Sequence, residues 1–311
     1  MNESQIYDLL TKADFSVDAV LTPIPAAGSD RDFFRIEGGG RTAVLMSGTG
    51  HGAALDDWVE IQRFLYKLGI GVPELYAEDL SIPAVLVEDL GDMPKPPIGD
   101  YPRIVRELAQ LAVTAGREIA DCPTVANRPF NFEAFREESQ YFSEQYLAGF
   151  RGIAQPIIES LSSEFDCLTE ELAALPKAFC HRDFQSSNIT ILGDDVRIID
   201  FQSAKYGPLE YDLASLLWDS RVELPNPTKG KLVQIYIDTL AEIGYLIEPQ
   251  EFKGNLFLAG VSRNMQSLGA YCFLSRVKGK KQFEKLIPPA EKNLRELIEE
   301  TGILRKLKDL I

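Results

Sequence analysis

The chain has 311 residues, of which 45% are hydrophobic, so it is long enough for about two domains with a substantial core. Its formal net charge of −15 argues against DNA or RNA as a partner, because binding to a phosphate backbone requires a basic surface. No apolar run approaches the roughly 20 residues that cross a membrane, and the first residues do not resemble a signal peptide. We therefore expect no membrane association and a cytoplasmic location.

The cysteines support the same location. Four of them are scattered along the chain, at positions 122, 167, 180 and 272. Their spacing matches neither a zinc site nor a disulfide framework, so we expect reduced thiols.

The first part of the chain predicts a small β structure. Residues 2–13 have apolar side chains on one helical face, and residues 21–46 follow as strand, loop, strand, turn and strand. The first loop has a single glycine, and Ser29 and Arg31 follow it. A hydroxyl and a guanidinium both suit phosphate oxygens, although an ordinary surface hairpin would have similar residues.

The pattern then changes from strands to helices. Residues 55–68 predict a helix that ends at Gly69, and residues 72–76 and 82–87 predict two strands. The remainder reads as helical apart from one hairpin. The helices are predicted at 101–120, 131–149, 156–174, 209–218, 231–243, 252–277 and 281–298.

The hairpin is the most informative stretch. Two β-branched runs, Ile189–Leu192 and Val196–Ile199, flank a Gly-Asp-Asp turn and are the only strands predicted in this half of the chain. Asn188 precedes the first strand and Asp200 follows the second. Because an antiparallel hairpin brings its open ends together, these two side chains should face one small volume. Asp183 lies five residues before Asn188, on the loop that enters the hairpin.

These residue types suit phosphoryl transfer. A carboxylate and an amide oxygen are ligands for a hard cation such as Mg²⁺, which keeps several waters and binds phosphate oxygens. A second carboxylate nearby can accept a hydroxyl proton. Asp and Asn are also common at ordinary turns, but their joint spacing here is hard to obtain by chance.

The catalytic stretch resembles a known superfamily. His181-Arg182-Asp183 with Asn188 is similar to the catalytic loop of protein-kinase-like enzymes, and Asp200-Phe-Gln stands where protein kinases have Asp-Phe-Gly. The continuation Tyr211-Asp212-Leu-Ala resembles the aminoglycoside phosphotransferase and choline kinase branch. The run from Asp200 to Pro208 is closer still to bacterial anomeric kinases of N-acetylmuramate and N-acetylglucosamine.

The resemblance implies an α+β, bilobal protein-kinase-like fold. A small, mainly antiparallel β lobe is expected at residues 1–90, with the hinge at about 86–92. A larger helical lobe is expected at residues 93–311, carrying the catalytic loop and the acceptor site. Nucleotide binds between the lobes of such enzymes.

The resemblance also assigns roles to residues. Asp183 is the expected catalytic base, and Asn188 and Asp200 are the expected Mg²⁺ ligands. Asp212 is expected to brace the catalytic loop, while His181 and Arg182 support that loop rather than take part in chemistry. The residues expected to bind the ATP (or GTP) co-substrate are Ser29, Arg31 and Arg35 at the phosphates and the backbone of Val87, Glu88 and Asp89 at the adenine.

One departure from the protein-kinase pattern concerns phosphate binding. Protein kinases hold the phosphates with a lysine on the third strand, whereas here Leu45 or Met46 stands at about that position. Arg31 or Arg35 could supply the missing charge. The alternative is a nucleotide-binding pseudokinase that has lost catalysis.

The acceptor is the least determined part of this interpretation. We expect a sugar or amino-sugar hydroxyl, with Asn264 and Gln266 as acceptor contacts, in a monomer or homodimer. An aminoglycoside or choline-like acceptor is the alternative, which the negative charge favours through long-range attraction. The residues after Asp200 and the lack of an Ala-Pro-Glu motif argue against a protein kinase.

Overall fold

The structure, a computed structural model, describes residues 3–16, 18–25, 31–48 and 55–311. Contacts between residues divide the chain into two compact units. The N-terminal unit consists of Met1–Lys95 and Ser187–Ser203, and the C-terminal unit consists of Pro96–Ser186 and Ala204–Ile311. The predicted hairpin therefore groups with the N-terminal unit, whereas Asp183 belongs to the C-terminal unit. The functional boundary between lobes at about residue 90 stays a prediction.

The N-terminal unit contains a five-stranded antiparallel sheet in the order β1-β2-β3-β5-β4. Its inward-facing positions are apolar, as the alternating sequence predicts, and Ile36, Leu45 and Leu86 are fully buried. The strands are β1 Val20–Ile24, β2 Asp32–Gly38, β3 Arg41–Ser47, β4 Leu75–Asp79 and β5 Ala84–Glu88.

Two helices accompany this sheet. Leu9 and Leu10, at the end of α1 (Glu3–Lys12), share a core cluster with sheet residues such as Leu45. Helix α2 (Leu55–Lys67) buries apolar residues at helical spacing, and it ends before Gly69, whose φ is +75°. Both helices confirm the sequence prediction.

Two further antiparallel pairs involve the catalytic stretch. The strands are β6 Lys177–Cys180, β7 Ile189–Leu192, β8 Asp195–Ile198 and β9 Lys205–Pro208. The hairpin β7–β8 confirms the prediction and turns at Gly193, whose φ is +60°. The pair β6–β9 shows that the prediction of only two strands in this half was wrong. Strand β9 contains glycine and proline, which weaken a local strand pattern, and pairing with β6 stabilises it instead.

The C-terminal unit is helical, and with the antiparallel sheet of the N-terminal unit it confirms the α+β class. Its helices are α3 Tyr101–Arg117, α4 Pro123–Ala126, α5 Phe132–Phe142, α6 Gln155–Glu159, α7 Ser162–Ala174, α8 Tyr211–Leu217, α9 Asn226–Glu242, α10 Pro249–Cys272, α11 Ile287–Thr301 and α12 Arg305–Lys308. The helix predicted at 156–174 is divided between α6 and α7. The helix predicted at 281–298 starts as a 3₁₀ turn, Lys281–Leu286.

Helix α10 is central to the C-terminal unit. It packs against α5, α8 and α11, and it is buried along most of its 24 residues. A helix surrounded in this way has few solvent-exposed positions, so its polar residues Ser262, Arg263 and Asn264 are buried as well. In the part of the chain that the structure describes, no helix combines the length and apolar character needed to cross a membrane.

Candidate active site

The backbone of the catalytic loop is fixed by Asp212 at the start of α8. Its carboxylate accepts hydrogen bonds from the backbone N–H of His181 at 2.5 Å and of Arg182 at 2.8 Å. Asp212 is 3% exposed, and burial raises the pKa of its carboxyl group. Arg182 adopts a left-handed conformation with φ of +73°. The expected bracing by Asp212 is confirmed, and it stabilises the turn that precedes Asp183.

The Arg182 side chain is bound to the buried carboxylate of Glu138. Its Nη2 donates to Glu138 Oε1 at 2.7 Å, and Tyr211 Oη donates to Glu138 Oε2 at 2.9 Å. Glu138 is itself buried. Burial opposes the charge of Arg182, but Glu138 and Tyr211 hold the pKa of the guanidinium above its usual range. The expected supporting role of Arg182 is therefore confirmed.

The expected catalytic base, Asp183, is held by an arginine of α10. Arg263 Nη2 lies 3.0 Å from Asp183 Oδ1, and the arginine is 5% exposed. The same guanidinium donates to Ser215 Oγ at 2.9 Å and to Ser267 Oγ at 3.0 Å. Arg263 is 80 residues from Asp183 in the sequence, and sequence reasoning did not find this pair.

A second arginine and a buried aspartate hold the loop just after Asp183. Asp219 Oδ2 accepts hydrogen bonds from Ser186 N at 2.9 Å and from Ser186 Oγ at 2.5 Å. Arg221 Nη1 donates to Gln185 Oε1 at 2.9 Å and to Tyr271 Oη at 3.0 Å. Sequence reasoning missed these residues too. The only local signal is that Asp219-Ser-Arg221 begins two residues after the end of the buried α8 helix.

In the N-terminal unit, the hairpin brings Asn188 and Asp200 together as predicted. Asn188 Nδ2 lies 3.5 Å from Asp200 Oδ2, and Ile199 N donates to Asn188 O at 3.0 Å. Asp200 is left-handed, with φ of +70°, and Gln202 Nε2 donates to its Oδ1 at 2.6 Å. The geometry confirms the predicted convergence of the two side chains.

This pair fits a magnesium ion chemically. Asp200 supplies carboxylate oxygens, and a rotation of the Asn188 amide about its last bond presents Oδ1 in place of Nδ2. The described residues contain no cluster of three or more His, Cys, Asp or Glu side chains that could enclose a metal. Two oxygen-bearing side chains suit Mg²⁺, which retains waters, rather than an ion that requires a full protein cage.

The buried side chain of Arg31 lies beside β3, the strand on which protein kinases have their lysine. Its Nη1 lies 3.8 Å from the sulfur of Met46 on β3, and the residue is 7% exposed. Burial lowers the pKa of the guanidinium, while the negative charges of Asp200 and Asp57 oppose that shift. The expected phosphate contact Ser29 lies outside the described residues.

The Arg35 side chain is paired with two carboxylates near the end of β5. Its Nε donates to Asp89 Oδ2 at 2.8 Å, and its Nη1 donates to Asp92 Oδ1 at 3.1 Å. Hydrogen bonds to these two carboxylates raise the pKa of Arg35. Of the two arginines considered for the phosphates, Arg31 is thus the one whose side chain extends toward β3 and the charge of Asp200.

The expected adenine-binding segment follows β5. Val87 is buried in the sheet, and Glu88 N donates to Glu74 O at 2.9 Å, so this N–H is already used. The Glu88 side chain pairs with Arg197 of the hairpin through two hydrogen bonds. The role of Val87, Glu88 and Asp89 in nucleotide binding stays a prediction.

The comparison with known proteins decides the family. The profile of the phosphotransferase enzyme family matches residues 20–245. The chain belongs to the phosphotransferase enzyme family. The predicted enzyme class, a small-molecule kinase acting on a hydroxyl group, is confirmed.

Two curated relatives of this phosphotransferase have the same name. The N-acetylmuramate/N-acetylglucosamine kinase of Pseudomonas aeruginosa is 26% identical over 298 residues, which cover 94% of this chain and 88% of the relative. The Pseudomonas putida kinase of that name is 26% identical over 303 residues, covering 94% and 87%.

The solved structures confirm the fold of this phosphotransferase. A choline kinase from Cryptosporidium parvum superposes with a TM-score of 0.66 at 14% identity, covering 94% of this chain and 92% of that chain. This likeness confirms the predicted kinase-like fold.

The two residues predicted to contact the acceptor of this phosphotransferase, Asn264 and Gln266, have different surroundings. Asn264 is 1% exposed and donates from Nδ2 to Gly260 O of its own helix at 2.9 Å, so it belongs to the packed interior. Gln266 accepts a hydrogen bond from Arg263. Gln266 is therefore connected to the Asp183 network through the arginine.

Proposed function

We propose that this phosphotransferase transfers the γ-phosphate of ATP to the anomeric hydroxyl of an N-acetylated amino sugar. Two observations support the acceptor class. The curated relatives are named for N-acetylmuramate and N-acetylglucosamine. The run from Asp200 to Pro208 resembles anomeric sugar kinases more than antibiotic-modifying enzymes.

The proposed roles follow from the side-chain chemistry. Asp183 orients the acceptor hydroxyl and takes its proton, which an anomeric hydroxyl releases more readily than an ordinary alcohol. Asn188 and Asp200 would hold Mg²⁺, which when bound offsets the negative charge of the phosphates. Arg31 replaces the strand lysine at the phosphates, and the backbone from Val87 to Asp89 contacts the adenine.

The observation that carries the acceptor assignment is the charge around the catalytic loop. Asp183 is paired with Arg263 at 3.0 Å, and Asp219 is paired with Arg221 at 3.3 Å. Each of these carboxylates is thus compensated by a guanidinium. A cationic acceptor such as choline or an aminoglycoside is attracted by carboxylates that have no positive partner. The carboxylates of Asp183 and Asp219 each have an arginine partner, so their attraction for a cation is weakened. A neutral or acidic sugar is favoured by this arrangement, despite the net charge of −15.

An acceptor panel tests the proposal. Purified wild-type protein and Asp183→Asn are each incubated with ATP, Mg²⁺ and one acceptor: N-acetylglucosamine, N-acetylmuramate, choline or kanamycin. We expect acceptor-dependent ADP release with the sugars only, reduced to a small residual rate in Asp183→Asn. Release that is driven by choline or kanamycin alone would contradict the acceptor class. Nucleotide binding without any transfer would support the pseudokinase alternative.

A further inference from the structure

Arg263 is unusual among the arginines near the catalytic loop because it is almost completely buried in the middle of a helix. It is 5% exposed and belongs to α10, the long helix at the centre of the C-terminal unit. A buried guanidinium keeps its proton and needs both hydrogen-bond acceptors and a compensating negative charge. The hydrogen-bond partners of Arg263 therefore show which groups its guanidinium positions.

The guanidinium of Arg263 has acceptors on the helices α8 and α10, Gln266 among them, and further acceptors on the catalytic loop. Ser215 of α8 and Ser267 of α10 accept hydrogen bonds from Nε and Nη1 at 2.9 and 3.0 Å. Because these serines lie on packed helices, they fix the plane of the guanidinium. Its Nη2 then faces the catalytic loop, at 3.0 Å from Asp183 Oδ1 and 3.4 Å from Gln185 Oε1.

The loop backbone and the Asp183 side chain are thus held by different residues. Asp212 binds the backbone N–H groups of His181 and Arg182 and fixes where the loop runs. Nothing in that contact sets the rotation of the Asp183 carboxylate. The pair with Arg263 does so, because it ties Oδ1 to a rigid helix.

We propose that Arg263 is the positioning residue of the catalytic base: it fixes the rotamer of Asp183 so that the carboxylate meets the acceptor hydroxyl in a productive orientation. The inference rests on the proposed role of Asp183 and adds a residue that the family match does not assign. A purely structural ion pair would stabilise the fold without affecting turnover. A positioning residue affects turnover through Asp183, and this difference is measurable.

A double-mutant cycle on the full chain distinguishes a positioning residue from a purely structural ion pair. The variants are Arg263→Gln, Asp183→Asn and the double variant, with kcat and both KM values measured for ATP and the best amino-sugar acceptor. We expect Arg263→Gln to lower kcat by on the order of 10²-fold, since small misplacements of a catalytic group have effects of that size. The KM for ATP should change less than about twofold. In the Asp183→Asn background the same substitution should have almost no further effect, because the two residues act as one unit.

Two further variants guard against a folding defect. Arg263→Lys retains a positive charge with poorer geometry and should recover about tenfold in kcat relative to Arg263→Gln. Arg136→Gln removes a different ion pair of the C-terminal unit, with Asp166 at 2.7 Å, and should lower the melting temperature without lowering kcat.

The outcomes distinguish this inference from the proposed acceptor. If the wild type phosphorylates no amino sugar, the acceptor proposal is wrong. The double-mutant cycle is then measured on the slow hydrolysis of ATP, in which water is the acceptor. The positioning role is overturned if Arg263→Gln keeps wild-type kcat. It is also overturned if the substitution lowers kcat equally with and without Asp183, or if Arg263→Lys and Arg263→Gln are equally impaired.

Discussion

Two residues of the catalytic stretch have left-handed backbone conformations, Arg182 at φ +73° and Asp200 at φ +70°. Such conformations cost of the order of 1 kcal/mol or more for residues other than glycine, and Asp tolerates them better than Arg. Arg182 is compensated by Asp212, which binds its N–H, and by Glu138, which binds its side chain. The two left-handed residues therefore lie directly before Asp183 and just after the β7–β8 hairpin.

The metal assignment is tested at Asp200. Asn tolerates the left-handed conformation, so Asp200→Asn removes the charge and keeps the backbone. We expect Mg²⁺-dependent transfer to fall by on the order of 10²-fold or more with an unchanged melting temperature. Asp195→Asn, at an exposed position of the same hairpin, should retain activity. Normal turnover by a well-folded Asp200→Asn protein would show that the assignment is wrong.

The phosphate contact is tested at Arg31. If its guanidinium replaces the strand lysine, Arg31→Ala should raise the KM for ATP and lower kcat. The combined loss in kcat/KM should be on the order of 1.5–3 kcal/mol. Arg63→Ala, which removes an exposed arginine of α2 paired with Glu78, is the matched control. Unchanged nucleotide kinetics in Arg31→Ala would transfer the role to Arg35 or remove it.

Glu210 gives the fold a pH dependence that is separate from catalysis. It is 3% exposed and directly precedes α8, and burial raises its pKa from 4.5 to about 7. The folded protein therefore binds more protons than the unfolded chain between pH 4.5 and about 7, and its stability falls as the pH rises through that window.

Replacing Glu210 by Gln tests this assignment. At 1.36 kcal/mol per pKa unit, Glu210→Gln should remove a destabilisation of roughly 3 kcal/mol at pH 8 and have little effect at pH 4.5. Urea unfolding at both pH values measures the difference. Glu242→Gln, at an exposed position of α9, should leave the pH dependence unchanged. An equally steep pH dependence in Glu210→Gln would assign the effect to another group.

At the scale of elements, the hairpin β7–β8 is anchored to the segment before β4. Ile198 N donates to Gly71 O at 2.8 Å, and Arg197 Nη2 donates to Val72 O at 2.9 Å. A Cβ atom at Gly71 would lie 2.0 Å from Val196 O, closer than any real contact. The absence of a side chain at Gly71 therefore allows the hairpin with Asp200 to approach this segment.

Substitution of Gly71 tests this anchoring. Gly71→Ala should displace the hairpin and destabilise the fold by about 1–3 kcal/mol, and activity should fall as the proposed metal ligands Asn188 and Asp200 move. Gly230→Ala in α9 is the control, because a Cβ there meets open space; it should stabilise the helix by about 0.5–1 kcal/mol. A Gly71→Ala protein with wild-type stability and activity would contradict the anchoring.

The sequence predicts these elements to different degrees for physical reasons. The hairpin and α2 have local signals, a turn glycine between β-branched runs and apolar residues at helical spacing. Strand β9 has no such signal, since its stability comes from pairing with β6. Arg263 and Asp219 could not be assigned, because each binds a loop residue more than 30 positions away and only the folded chain shows the contact.

At the scale of the whole molecule, net charge and local charge point to different acceptors. The charge of −15 favours cations at long range. Near the catalytic loop, Arg263 and Arg221 compensate the carboxylates of Asp183 and Asp219. Salt screens the long-range attraction within about 8–10 Å at physiological ionic strength, so we expect the paired charges near Asp183 to affect the choice of acceptor more than the net charge does.

The central claim is that phosphate is transferred to an anomeric hydroxyl, and the acid lability of the product tests it most directly. Wild-type protein is incubated with ATP, Mg²⁺ and N-acetylglucosamine, N-acetylmuramate or kanamycin, and each product is treated with mild acid. A sugar 1-phosphate releases inorganic phosphate under these conditions, whereas a phosphate ester on an aminoglycoside ring hydroxyl does not. We predict an acid-labile product from the amino sugars, and only a small fraction of that amount with Asp183→Asn. An acid-stable product formed from kanamycin alone would contradict the claim.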